Sequence, residues 1–201
     1  EVVNRVAGKL QSRWNWNEMK DRVQCFVLDT NTSDLNQHEN VPREKQLLIS
    51  DFDKRTYIQQ KRGETYREED DFVTQWVHDW YDFRGTRGAG AGQIRIESRL
   101  GLHYQLEEDR GKIVQRFKSA INESLDHDIP YRQNEPPQFE VFTYGSVAGG
   151  TGSGSFLPIA YLMKDLIRDV NWIPQVIGNL MLPSLFLNKV PRTLHADINA
   201  N

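Results

Sequence analysis

The sequence predicts an α/β fold built on a mostly parallel sheet. Two observations carry this. Short apolar runs, at residues 22–28, 45–49, 139–144 and 175–182, alternate with longer segments whose apolar residues recur at the helical period. One run passes through a glycine-rich loop directly into such a segment, marked by Phe156, Ile159, Ala160, Met163, Leu166, Ile167 and Val170. Strand, glycine loop and helix in that order place the loop at the carboxyl end of a strand, where open parallel sheets bind ligands.

Taken in order, residues 1–19 carry Val2, Val3, Val6, Leu10 and Trp14 on a helical period. Residues 22–28 read as a buried strand, and Asp29-Thr30-Asn31 follows at its carboxyl end. Asp29 reads equally as a turn former. Residues 31–43 are loop with a helical turn near Leu35, and residues 51–67 are polar and unassigned. Glu68-Glu69-Asp70-Asp71 precedes Phe72, Val73, Trp76, Val77 and Trp80. Acidic residues in a first turn offset the helix dipole, so this cluster is read as structural and not as a metal site. The tryptophans are read as core or interface.

Residues 84–93 form a second glycine-rich segment, with four glycines in eight positions and Arg84, Arg87 and Arg95 nearby. It is either a mobile linker or a loop that approaches a ligand, with arginines suited to phosphate oxygens. Helical pattern covers residues 94–106 and 113–125, and residues 126–137 are a turn-rich link. A helix follows the central loop to about Arg168, the strand at 175–182 ends before Pro183, and a last helix starts near Pro191.

Composition narrows the function classes. The 201 residues are 38% apolar and 26% charged, which is a globular composition and the size of one domain. The net charge of −3, with both signs interspersed, gives no bulk electrostatic surface for nucleic acid or membrane. No apolar run is long enough to span a bilayer. The first helix carries Asn4, Arg5 and Lys9 and does not read as a secretory leader. Cys25, the one cysteine, lies in an apolar run and reads as a small core residue, in keeping with a reducing cytoplasm. The chain starts and stops inside helical patterns, so it is read as a single domain truncated at both ends.

The central loop has the most chemistry. Gly149, Gly150, Gly152 and Gly154 fall within six positions. Glycines permit positive φ and let backbone N–H groups converge. The helix that follows adds free N–H groups and a positive partial charge, so the segment is suited to phosphates. Thr151, Ser153 and Ser155 add hydroxyls for phosphate oxygens or a metal-bound water. A Walker loop is excluded, because no lysine follows Gly154 until Lys164. The dinucleotide fingerprint fails for want of a third glycine at Leu157.

Ala148-Gly149-Gly150-Thr151-Gly152-Ser153-Gly154 resembles the signature loop of the tubulin/FtsZ superfamily, and matches its small residue-Gly-Gly-Thr-Gly-Ser/Ala-Gly pattern throughout. The element order is similar over nearly the whole chain, most of all to divergent prokaryotic tubulin-like proteins. The resemblance implies a three-layer, Rossmann-like fold with helices on both faces of a mostly parallel sheet. It implies GTP or GDP with Mg²⁺ as ligands. By position, Ala148, Gly149, Gly150, Thr151, Gly152, Ser153 and Gly154 would wrap the phosphates, with Thr151 near the terminal one. Gly90, Ala91 and Gly92 would sense the γ-phosphate, and Asp29, Thr30 and Asn31 would lie near the metal and phosphates. Residues 183–187 would meet the ribose, and Asn199 or Asn201 would read the guanine edge.

There are three departures. The family's first glycine turn does not occur in the chain, Asn31 stands where an acidic residue is common, and the catalytic loop would lie beyond residue 201. The resemblance therefore implies a cytoplasmic, GTP-binding protein whose parent self-associates into filaments or a larger complex and hydrolyses GTP between subunits. The alternative is a non-hydrolysing scaffold or interaction module. Neither reading involves nucleic acid or membrane, and no residue here is an evident catalytic base or a metal site of its own.

Overall fold

The computed structural model describes residues 1–13, 15–64, 76–78, 80–83, 88–92, 94–110, 112–125 and 137–185. Strands β1 (Val27–Asp29) and β2 (Gln46–Leu48) pair in parallel, with Asp29 opposite Leu48. Strands β3 (Gln138–Ser146) and β4 (Ile173–Met181) pair in parallel from Gln138 opposite Ile173 to Ser146 opposite Met181. Among the described residues these are two separate two-stranded sheets. Helices α1 (Val2–Arg13), α2 (Trp16–Met19), α3 (Thr32–Leu35), α4 (Lys54–Glu64), α5 (Arg95–Leu106), α6 (Ile113–Leu125) and α7 (Gly150–Asp169) complete the described elements. The chain is a mixed α/β structure with parallel strands.

Both sheets pack on one core. Leu47 of β2 and Ile49 just after it meet Leu102 of α5, Ile113, Phe117 and Ile121 of α6, and Ile159, Met163, Leu166 and Ile167 of α7. Phe139 and Val141 of β3 and Leu28 of β1 pack against the same cluster. The α6 and α7 residues are spaced three and four apart and so form the buried stripe of an amphipathic helix. Residues alternate along β3: Phe139 and Val141 point to the core, while Glu140, Phe142 and Tyr144 are exposed.

A second cluster joins Phe52, Tyr57 and Ile58 to Val77, Phe83 and Leu100. Helix α5 lies between the two clusters, with Leu100 in one and Leu102 in the other. Gly101 is required there: a Cβ would lie 2.5 Å from the Ile49 carbonyl oxygen. Helix α5 therefore contacts the end of β2 through bare backbone.

Local caps set several boundaries. The Asp109 carboxylate accepts from the Val114 and Gln115 N–H groups at 2.8 and 3.1 Å and so starts α6. Asn171 at φ 61° ends α7, and Trp172 N–H returns to the Ile167 carbonyl at 3.2 Å. The helix expected over residues 1–19 is broken at Asn15, whose ψ of 82° is not helical. The polar stretch at residues 51–67, which the sequence leaves unassigned, contains α4. Its buried side chains include only two apolar ones, the adjacent pair Tyr57 and Ile58, so the chain offers no apolar period there. Asp53 helps start this helix by accepting from Thr56 N–H at 3.1 Å.

Candidate functional site

The carboxyl ends of β1 and β3 meet at Thr151. Helix α7 starts at Gly150, so Thr151, Gly152, Ser153 and Gly154 are its first turn and not an irregular loop. Ser153 N–H reaches back to the Gly149 carbonyl at 3.2 Å. The N–H groups of Gly150, Thr151 and Gly152 have no partner among the described residues. Gly149, the residue before the helix, places no side-chain cap there. These are the orphan donors of a 20-residue helix, carrying its positive dipole end.

The glycines act differently from the sequence expectation. Positive φ among the described glycines occurs at Gly88, Gly90 and Gly92, and not in the central segment. Gly152 is needed for close approach: a Cβ would lie 2.6 Å from the Ser146 carbonyl oxygen and 2.8 Å from Ser146 N. A Cβ on Gly154 would overlap Ser98 Oγ and the Arg95 carbonyl. Gly149 differs again, since a Cβ there would meet no atom within 4 Å. Two glycines thus seat the helix against β3 and α5, and one leaves space in front of it.

Asp29 and Thr30 come from the end of β1. Asp29 Oδ1 accepts from Thr30 N–H at 2.6 Å, from Asn31 N–H at 3.0 Å and from Thr151 Oγ1 at 3.3 Å. Thr30 is 1% exposed, and its Oγ1 lies 2.7 Å from Thr151 Oγ1. Its carbonyl accepts from Ser50 Oγ at 2.5 Å and from Gly90 N–H at 3.0 Å. Asn31 caps α3 by accepting from Ser33 N–H at 2.8 Å, so its side chain is held by local structure.

The second glycine loop joins the same place. Ala91 N–H donates to Thr30 Oγ1 at 2.8 Å, and Thr32 N–H donates to the Gly88 carbonyl at 3.0 Å. Asn31 and Ala89 form a bridge. The structure thus brings together Asp29, Thr30, Asn31, Gly90, Ala91 and Thr151 from three distant parts of the chain. Gly92 is exposed at φ 53° at the far end of that loop.

The serine hydroxyls near the start of α7 are spent on backbone. Ser155 Oγ donates to the Thr151 carbonyl at 2.6 Å and is buried, so it is not available to a ligand as the sequence suggested. Ser153 Oγ donates to the Gly150 carbonyl at 3.2 Å. Ala148 is buried behind the turn, its N–H bonded to Ser146 Oγ at 3.1 Å. Arg84, Arg87, the acidic run 68–71, Asn199 and Asn201 lie outside the described residues, as do residues 186 and 187 of the expected ribose loop. Pro183–Leu185 is a short 3₁₀ turn. His78 stacks on Trp80 at 5.3 Å, and Trp80 is 78% exposed, so it is not a core residue.

Ser98 escaped the sequence reading. It is fully buried in α5 and donates to the Gly150 carbonyl at 2.6 Å. No motif marks it; a lone serine in a helix-period segment reads as a neutral surface residue. Among the described residues no group of three or more His, Cys, Asp or Glu is placed to hold a metal. Among them, too, no helix is long and apolar enough to cross a membrane.

A family model described as tubulin-like matches residues 1–201. No curated protein and no solved structure matches the chain. The match spans the whole sequence, including all three segments that meet at Thr151, and the chain belongs to the tubulin-like family.

Proposed function

We propose that the chain is the phosphate-cradling part of a guanine-nucleotide-binding domain. One observation carries this: the start of α7 has unpartnered N–H groups at Gly150, Thr151 and Gly152, and Thr151 is bonded through its hydroxyl to the junction of the Asp29–Thr30 and Gly90–Ala91 segments. A helix start of this kind favours a polyanion through both its donors and its dipole. The open space at Gly149 gives room for one, and Thr151 adds a hydroxyl at the mouth.

The residues also fit a Mg²⁺ shared with phosphate oxygens. Such ions are commonly held by one or two carboxylates plus the substrate phosphates, and Asp29 supplies one carboxylate. The cation would offset phosphate charge. Asp29 would hold it, the α7 N–H groups would bind the phosphates, and Thr151 would orient them. The guanine preference, the cytoplasmic setting and a three-layer arrangement with both sheets in one layer rest on the family alone.

In this reading the parent protein self-associates and hydrolyses GTP with groups from a neighbouring subunit. The half-exposed Phe142 and Tyr144 on the outer face of β3 support a parent that buries this face against more protein. A non-hydrolysing scaffold is the second reading. It is favoured by Asn31, whose side chain is committed to capping α3 and supplies no second carboxylate.

The test is to release bound nucleotide from the purified full-length protein and identify it by mass spectrometry, then follow turnover against protein concentration. Bound GDP or GTP with turnover rising steeply on concentration supports the GTPase. Bound nucleotide without turnover supports the scaffold. Protein that neither carries nor takes up nucleotide overturns both.

A further inference from the structure

We propose that Thr30 is a positioning residue that couples occupancy of the anion site to the glycine loop at residues 88–92. This rests on the phosphate reading of the α7 start. The juxtaposition is a chain of hydrogen bonds from Ala91 N–H to Thr30 Oγ1 at 2.8 Å, on to Thr151 Oγ1 at 2.7 Å, and on to Asp29 Oδ1 at 3.3 Å.

Counting protons gives the chain a direction. The Asp29 carboxylate only accepts, so the single hydroxyl proton of Thr151 points to it. The Thr30 hydroxyl accepts from Ala91 N–H, and its own proton goes to Thr151. Every donor therefore points from the glycine loop toward Asp29 and the mouth of the site.

The last link is the weak one. Hydroxyl hydrogen bonds centre near 2.7–2.8 Å, and the Thr151 to Asp29 distance is 3.3 Å. Asp29 Oδ1 already takes two backbone N–H groups at 2.6 and 3.0 Å. An anion arriving at α7 can take the Thr151 proton at little cost, forming a shorter charge-assisted bond. Hydrogen bonds in a chain polarise one another, so a stronger terminal bond makes Thr30 Oγ1 a better acceptor for Ala91 N–H. The loop is gripped harder when the site is filled, and Asp29 loses one of its three bonds and turns more freely to a cation. Thr30 is 1% exposed and acts only through Ala91 and Thr151.

The experiment is amide hydrogen exchange at Ala91 and Gly90 in the full-length protein, with and without inorganic pyrophosphate. Gly90 N–H bonds to the Thr30 carbonyl, which a side-chain change leaves in place, so it is an internal control. In the wild type, pyrophosphate should slow Ala91 severalfold. Thr30→Val should speed Ala91 exchange roughly tenfold, the loss expected for one buried hydrogen bond, abolish its response to pyrophosphate and leave Gly90 protected. Thr30→Ser should restore the response. If Thr30→Val does not fold, Thr151→Ala breaks the chain one step later and should leave Ala91 protected but unresponsive. An Ala91 response that persists in Thr30→Val, or in Thr151→Ala, overturns the coupling. A wild type that takes up no pyrophosphate overturns the phosphate reading as well, which distinguishes the two failures.

Discussion

Ser98 Oγ donates to the Gly150 carbonyl at 2.6 Å, so α5 holds the first residue of α7 in place. The Arg95 carbonyl, one turn earlier in α5, lies where a Cβ on Gly154 would fall. Helix α5 also follows the glycine loop directly, with Ile94 as its cap residue. The loop and the start of α7 are thus both mounted on α5. Ser98→Ala removes this donor, while the Gly150 carbonyl keeps its bond from Ser153 Oγ. We expect a loss of about 0.5–1.5 kcal/mol in stability, read by urea denaturation. A severalfold loss of nucleotide affinity should accompany it, read by calorimetry. Unchanged affinity in the folded variant would remove Ser98 from the account.

Gly149 and Gly152 should separate binding from folding. Gly149 sits at φ −97° and ψ 155°, which alanine adopts freely, and a Cβ there meets nothing within 4 Å. Gly149→Ala should hold stability within about 0.5 kcal/mol, the range of neutral surface changes, and weaken nucleotide by filling the space before the helix. Gly152→Val should lose both, because its Cβ meets the Ser146 backbone at 2.6 and 2.8 Å. Thermal melts and nucleotide titration of both variants check this pair.

The α/β class and the β3–α7–β4 unit were legible because β3 and β4 are short apolar runs and α7 carries its apolar residues on a helical period. The meeting of Asp29, Gly90 and Thr151 was legible only through the family resemblance, since no local pattern links positions so far apart. The role of the central glycines was legible only in part, for a physical reason. Glycine serves both positive φ and close approach, and a sequence does not distinguish them; Gly152 and Gly154 serve the second. Helix α4 stayed hidden because its buried charge, Lys54, reads as a surface residue until its partner is known.

That partner is Glu97. Lys54 Nζ lies 2.6 Å from Glu97 Oε2, with side chains 2% and 0% exposed, and Tyr81 O–H donates to Glu97 Oε1 at 2.9 Å. Removing one member strands a buried charge. Glu97→Ala should cost about 3–5 kcal/mol, whereas replacing Lys54 and Glu97 together with Met and Leu should recover most of it. Chemical denaturation of the single and double variants measures the difference. A Glu97→Ala protein as stable as wild type would contradict the burial of this pair.

Glu107 ties α4 to the turn before α6. Lys61 Nζ lies 2.5 Å from its carboxylate, Tyr57 O–H donates to it at 3.1 Å, and Arg110 lies at 3.2 Å. Burial pushes its pKa up, but the hydrogen bonds from Lys61 and Tyr57 and the charges of Lys61 and Arg110 outweigh this and hold it below the ordinary 4.5. A depressed carboxylate stabilises the fold above its ordinary pKa, and that contribution is lost as pH falls through the folded value. Wild type and Glu107→Gln should therefore differ by about 1 kcal/mol at neutral pH and converge below about pH 4.5. Stability curves of the two proteins from pH 7 to pH 3 test the convergence.

The central claim is that the start of α7 binds the phosphates of a nucleotide. The most direct measurement is calorimetric titration of the nucleotide-stripped full-length protein, wild type and Gly149→Ala, with GDP and with guanosine. The account predicts that wild type binds GDP far more tightly than guanosine, and that Gly149→Ala, at unchanged melting temperature, loses most of that difference. Equal affinity for GDP and guanosine in the wild type, or a Gly149→Ala protein that keeps the full preference for GDP, would contradict it.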